Sequence, residues 1–139
     1  MIRHFIWVAA SLLLTGLVAQ AQPEVQTQIL VKSTTAWNGK VYEGYPEGSP
    51  ELTVAKVTIP ARTRLPWHSH PMPTVGYILS GHITVEDRAT GRRKTYRAGE
   101  AIPEQVDAAH NGITDDEPVV IVVTYAGTAG QSLSVPIRP

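Results

Sequence analysis

Cysteine is absent from the 139-residue chain. That excludes a disulfide framework, and it removes the lipid-attachment site that would follow a lipoprotein leader. Stability has to come from a packed core and from any bound metal. An excess of one charge is also missing, with 12 basic against 12 acidic residues. A nucleic-acid footprint needs a basic patch or stripe, so nucleic acid is not an expected partner. No internal repeat or low-complexity run is visible. No Ser-His-Asp arrangement or glycine-rich phosphate loop stands out, and no helical period extends past the first twenty or so residues.

The single long apolar run is at the N-terminus. Met1 to His4 carries Arg3, Phe5 to Val18 is apolar, and Ala19-Gln20-Ala21 offers small residues where a signal peptidase reads. A run of this length is short for a membrane span. The expectation is a signal peptide over residues 1–21, cleaved after Ala21, with an uncleaved anchor as the alternative. The mature protein would be periplasmic or secreted, with no membrane segment of its own.

With 42% hydrophobic residues, the remainder can bury a core and fold as one domain. Val25, Thr27 and Ile29 alternate within Pro23 to Leu30, which fits an edge strand. Trp37-Asn38-Gly39-Lys40 reads as a hairpin turn, since Asn-Gly favours positive φ. Tyr42 to Pro50 is loop chemistry. Leu52 to Ile59 is a strand with two clean parities, ended by Pro60. Further strands are expected at Val75 to Leu79, His82 to Glu86, Arg92 to Tyr96, Ala101 to Glu104, Val119 to Tyr125 and Leu133 to Ile137. Asn111 to Pro118 reads as a polar turn. Many short strands separated by turn signals predict an antiparallel sandwich or barrel.

The stretch with the most chemistry is Trp67-His68-Ser69-His70-Pro71. A strand has a side-chain period of two, so His68 and His70 share a face. Two imidazoles on one face, joined by His110 from a later strand, form a metal-site pattern. Prolines 66, 71 and 73 limit backbone freedom around the pair and mark strand ends.

Two runs carry a family resemblance. His68 to Gly81 resembles the first motif of the cupin superfamily, G-x5-H-x-H-x3,4-E-x6-G. Gly99 to Thr114 resembles the second, G-x5-P-x-G-x2-H-x3-N. The resemblance covers roughly residues 52–126 and implies an all-β fold, a double-stranded β-helix or jelly-roll barrel. Residues 52–139 would be the barrel domain, with residues 22–51 adding N-terminal strands and a loop. The resemblance gives His68, His70 and His110 the role of metal ligands. It also has gaps. The family's first glycine falls on Arg62, its glutamate ligand on Thr74, its P-x-G on Gln105, Val106 and Asp107, and its closing asparagine on Thr114.

Three histidines suit zinc, copper, iron or nickel, and manganese is a further candidate divalent metal. Glu104 shares the parity of Ile102. If the strand parity holds, Glu104 faces the barrel interior, as a replacement ligand or a general base. If the segment is a loop, it is solvated. His82 matches no metal spacing and reads as a surface histidine. Trp67, of opposite parity to His68, would pack outside the barrel. Arg88, Arg92, Arg93, Lys94 and Arg97 read as a solvated face. Two functions fit: a metal-dependent oxygenase, or dioxygenase, acting on a small molecule, and a non-catalytic exported protein that holds a metal or small ligand. The chain could also form a homodimer.

Overall fold

The computed structural model describes residue 22 and residues 24–138. The expected signal segment, residues 1–21, lies outside the described residues, as does Pro23. Nine strands follow in chain order: β1 Pro50–Ile59, β2 His68–Ser69, β3 Thr74–Ser80, β4 His82–Asp87, β5 Arg93–Arg97, β6 Ala101–Pro103, β7 His110–Ile113, β8 Val119–Thr128 and β9 Val135–Pro136. Among the described residues there is no helix. The strands form two antiparallel sheets, ordered β1-β8-β3-β6 and β5-β4-β7-β2-β9. The architecture is the expected double-stranded β-helix, a jelly-roll barrel.

The first sheet is built by alternation. In β1, Thr53, Ala55, Val57 and Ile59 turn inward, while Leu52 and Val54 stand exposed on the outer face. β1 and β8 pair without interruption from Pro50↔Thr128 to Ile59↔Val119. Ile78, Ile102, Val119, Ile121 and Val123 supply the inner face of β3, β6 and β8, and meet Ile83 and Val85 of β4 from the other sheet. Burying a side chain such as Ile78, which is fully enclosed, contributes roughly 1.5–3 kcal/mol.

Gly81 turns the chain from the first sheet into the second. Its φ is +74°, and an added Cβ would lie 2.3 Å from the Pro118 carbonyl oxygen, so glycine is required there. Among the described residues, the non-glycine positions of positive φ are Arg62 (+53°) and Asp107 (+49°). These are the positions where the family pattern places glycine. The left-handed backbone is kept although the residue that adopts it most easily is not.

Several local expectations change. Residues 24–30 form no strand and are exposed, because Val25 and Ile29 find no sheet edge to pair with. Asn111 to Ile113 belong to β7 rather than to a polar turn, since their partners lie on β4 (Glu86↔Asn111, Thr84↔Ile113). β9 is only two residues long and pairs with β2. The Asn-Gly turn forms, closed by Ala36 N–H to Lys40 O at 2.8 Å, but its arms make a single bridge, Thr35↔Val41.

Candidate metal centre

His68 of β2 lies directly opposite His110 of β7, and directly paired residues present their side chains on the same face. His70, two residues on, shares that face, and its backbone bridges to Val106. The three rings therefore converge. Their centroids are 4.6 Å apart for His68 and His110, and 5.1 Å for each of the other pairs. One ligand nitrogen from each lies within 4.8 Å of the others.

The ring orientations are set by the backbone. Each Nδ1 meets a carbonyl: Pro66 O for His68 at 2.9 Å, Leu133 O for His70 at 2.7 Å and Ala108 O for His110 at 2.9 Å. A carbonyl only accepts, so each Nδ1 carries the proton and each neutral ring keeps its lone pair on Nε2. Metal-binding histidines are held in this way by partners of the other ring nitrogen. Burial, more than the charge of His68, pulls His70 below its ordinary value, against the Leu133 carbonyl. Burial also pulls His110 down to about 4, with smaller contributions from His68 and His70. Both rings are neutral at pH 7.

Glu104 stands one residue past β6, yet the ladder continues through it. Its N–H donates to Thr74 O at 2.9 Å, and the register Val75↔Pro103 puts Thr74 opposite it. A carboxylate thus sits on the strand next to the one where the family pattern has it. Thr74 itself is buried, with its hydroxyl donating to Met72 O at 3.1 Å. Glu104 points inward, as the parity of Ile102 predicts, with its side chain 13% exposed. Gly76 lies nearby on β3, where an added Cβ would crowd Ile121 Cγ2 at 3.2 Å and meet Glu104 Oε1 only at an ordinary contact distance of 3.7 Å.

Glu104 Oε2 lies 3.6 Å from His110 Nε2. Burial pushes the Glu104 carboxyl up to about 8, so at pH 7 acid and imidazole are both neutral and do not form an ion pair. Oε2 and Nε2 are both buried without a hydrogen-bond partner. Two ligand atoms each ~2.1 Å from one metal ion stand roughly 3–3.5 Å apart. At 3.6 Å the pair stands slightly wider than that, and both atoms lack the partner a cation would provide. The three histidines, whose ligand nitrogens all lie within 4.8 Å of one another, fit a divalent metal, and Glu104 stands beside them at His110.

These groups line a cavity of about 100 Å³, walled mainly by Val57, Ile102, Ile121, Val123 and Tyr125. Tyr125 packs edge-on against His70, centroids 5.6 Å apart. Burial, then the Glu104 charge, raise its phenol. The sequence placed Tyr125 in a strand but gave it no role. Its parity with Val123 and Ile121 was the available signal. Asp87, the last residue of β4, is buried opposite His110. Burial would raise its carboxyl. Donors from Asn38 Nδ2, Ala89 N and Thr90 Oγ1, each at 3.0 Å, outweigh that and hold it below its ordinary range.

Other residues stand apart from the cluster. His82 Nε2 reaches Asp115 at 3.3 Å. The Arg88 guanidinium lies 5.8 Å from the Trp67 ring. The basic residues around the β4–β5 turn are exposed.

A family model described as a cupin domain matches residues 55–125. No curated protein matches the chain. Among solved structures, the DMSP lyase DddQ from Ruegeria pomeroyi is 23% identical with a TM-score of 0.57, over 63% of this chain and 44% of that one. The polyketide cyclase RemF from Streptomyces resistomycificus is 16% identical with a TM-score of 0.55, over 66% and 63%. A cupin-like protein from Thermotoga maritima is 14% identical with a TM-score of 0.53, over 62% and 64%. This chain spans under two thirds of each of those proteins, and the likeness is one of fold.

Proposed function

The chain belongs to the cupin superfamily, and on that premise we propose that it is an exported metal-dependent enzyme acting on a small molecule. Iron, manganese, zinc, copper or nickel would be held by His68, His70 and His110, with Glu104 completing the set. One observation carries the proposal: three Nδ1–H groups are held by three backbone carbonyls, leaving three Nε2 lone pairs for one ion. The three rings converge on one another rather than pointing apart, with centroids 4.6–5.1 Å apart, which suits a shared ion.

The metal would supply Lewis acidity or one-electron chemistry. The chain supplies the rest. Apolar walls exclude water and strengthen electrostatic interactions inside. Glu104 can take or give a proton beside the site. The reaction class we propose is oxygenation.

Metal analysis of protein purified from its native compartment, beside His68→Ala, tests this. Stoichiometric redox-active metal in the wild type, lost in the variant, with substrate-dependent oxygen uptake, is the expected result. A wild type without metal would sink the proposal. A second function, holding a metal or small anion without turnover, draws on Thr74: the usual carboxylate is missing there and the hydroxyl is already bonded. Tightly held metal with no oxygen uptake would favour it.

A further inference from the structure

The loop that delivers Glu104 is held by a segment outside the cupin match. Residues 34–42 form a strap around the Asn-Gly turn. Three of its residues reach three carbonyls of the loop. Trp37 N–H donates to Pro103 O at 2.9 Å, the Tyr42 hydroxyl to Glu104 O at 2.8 Å, and Lys40 Nζ to Val106 O at 2.9 Å. Trp37 is buried in the main core, which anchors the strap. Asn38 fastens it to the other sheet through Asp87, and the Arg92 guanidinium donates to Asn38 O at 3.0 Å.

The consequence lies in how Glu104 is fixed. On its own sheet the residue has one ladder bond, its N–H to Thr74 O, and Pro103 before it has no N–H to give. Its carbonyl has the Tyr42 hydroxyl as its bonding partner among the described residues. A carboxylate approaching a metal from beyond a strand end needs its peptide held on both sides. Strand pairing provides one side and the strap the other.

We infer that Tyr42 is a positioning residue for Glu104, and that the strap sets how this carboxylate meets the metal held by the histidines. The inference rests on the metal-binding proposal above. It assigns residues 34–42 a part in the centre, although they lie before residue 55, where the family match begins.

Titration of the full chain with Co²⁺, followed by visible absorption, tests it on five proteins: wild type, His68→Ala, Tyr42→Phe, Glu104→Gln and the Tyr42→Phe/Glu104→Gln double variant. Phenylalanine keeps the ring and removes only the donor. Loss of an outer partner weakens metal binding by roughly 10-fold or more, so Tyr42→Phe should lose about that much and Glu104→Gln more. The Tyr42→Phe absorption bands should shift toward those of Glu104→Gln. In the double variant, Tyr42→Phe should add less than about 2-fold, because its effect runs through Glu104. Wild-type affinity and spectrum in Tyr42→Phe, beside a weakened Glu104→Gln, would overturn the inference. A full further loss in the double variant would also overturn it, because Tyr42 would then act independently of Glu104. If Glu104→Gln binds like wild type while His68→Ala does not, the inference fails and the three-histidine site stands. If wild type takes up no Co²⁺, both fail together.

Discussion

The two sheets do different work. The β1-β8-β3-β6 sheet has two ten-residue strands, and Thr74 is the only buried polar residue within its strands. The β5-β4-β7-β2-β9 sheet has strands of two to six residues, and Ser69, Asp87, His110 and Asn111 are buried within them. Several of those polar groups, among them His110 Nε2 and both Asn111 amide atoms, lack a hydrogen-bond partner. Unpaired buried polar groups cost free energy, whereas enclosed isoleucines and valines supply it. The first sheet therefore supplies more of the apolar core, while the second, beside Ile83, Val85 and Tyr96, also holds a buried polar cluster at a cost in stability.

The largest effects should separate along this line. Ile78→Ala removes a fully enclosed side chain from the first sheet and should lower stability by about 2–5 kcal/mol. Metal stoichiometry in the folded fraction should stay unchanged. His68→Ala, on a half-buried residue of the second sheet, should do the reverse. Metal affinity should fall at least about 100-fold, while the metal-free protein loses less than about 1 kcal/mol. Urea denaturation with and without metal reads both quantities. If His68→Ala costs the metal-free protein as much as Ile78→Ala, stability and chemistry are not divided between the sheets.

Asp87 is the exception that sharpens the contrast, because it is a polar residue of the second sheet that has its partners. Three donors surround it, and its folded pKa lies below the ordinary value of 3.8. A carboxylate with a depressed pKa stabilises the fold above its unfolded pKa, and that contribution is lost as pH falls through the folded value. Asp87→Ala should cost about 1.5–3 kcal/mol at pH 7. The deficit relative to wild type should narrow below about pH 4, as wild-type Asp87 takes up its proton. Thermal midpoints between pH 7 and pH 2.5 check this. A deficit that stays constant with pH would mean that Asp87 contributes packing and not charge.

The same contrast explains what could be read from the sequence. β1 was legible from alternation over eight residues and β8 from an unbroken run of β-prone residues, and one end of each moved outward. Within the site, the spacing of His68 and His70 and the second motif brought the histidines together on paper. Their orientation was not legible, because the Leu133 carbonyl that holds His70 comes from 63 residues away. Glu104 was half legible. Parity turned it inward, while Pro103 left the strand's end open. That Thr74 and Glu104 are neighbours across a ladder depends on the β3–β6 register, which no local pattern encodes. The strap was least legible of all. An Asn-Gly turn announced a hairpin, but nothing in residues 34–42 names residues 103–106 as their partners.

The smallest effect concerns positions where sequence and backbone disagree. Arg62 and Asp107 occupy left-handed conformations at sites the family pattern gives to glycine. For an ordinary side chain this costs roughly 1–2 kcal/mol. Glycine would relieve it but would add about 0.4–1 kcal/mol of unfolded-state entropy. Arg62 also pairs with Asp116, but both side chains are at least 80% exposed, and such pairs contribute little. Arg62→Gly should therefore stabilise by about 0.5 kcal/mol. Asp tolerates this region better than Arg does, so Asp107→Gly should be close to neutral. Urea midpoints at unchanged m-value resolve the difference. A destabilised Arg62→Gly would mean that the Arg62 side chain contributes more than its exposed ion pair indicates. The expected order would mean that these turns kept their backbone shape after losing the residue that adopts it at least cost, with the first sheet's core supplying the difference.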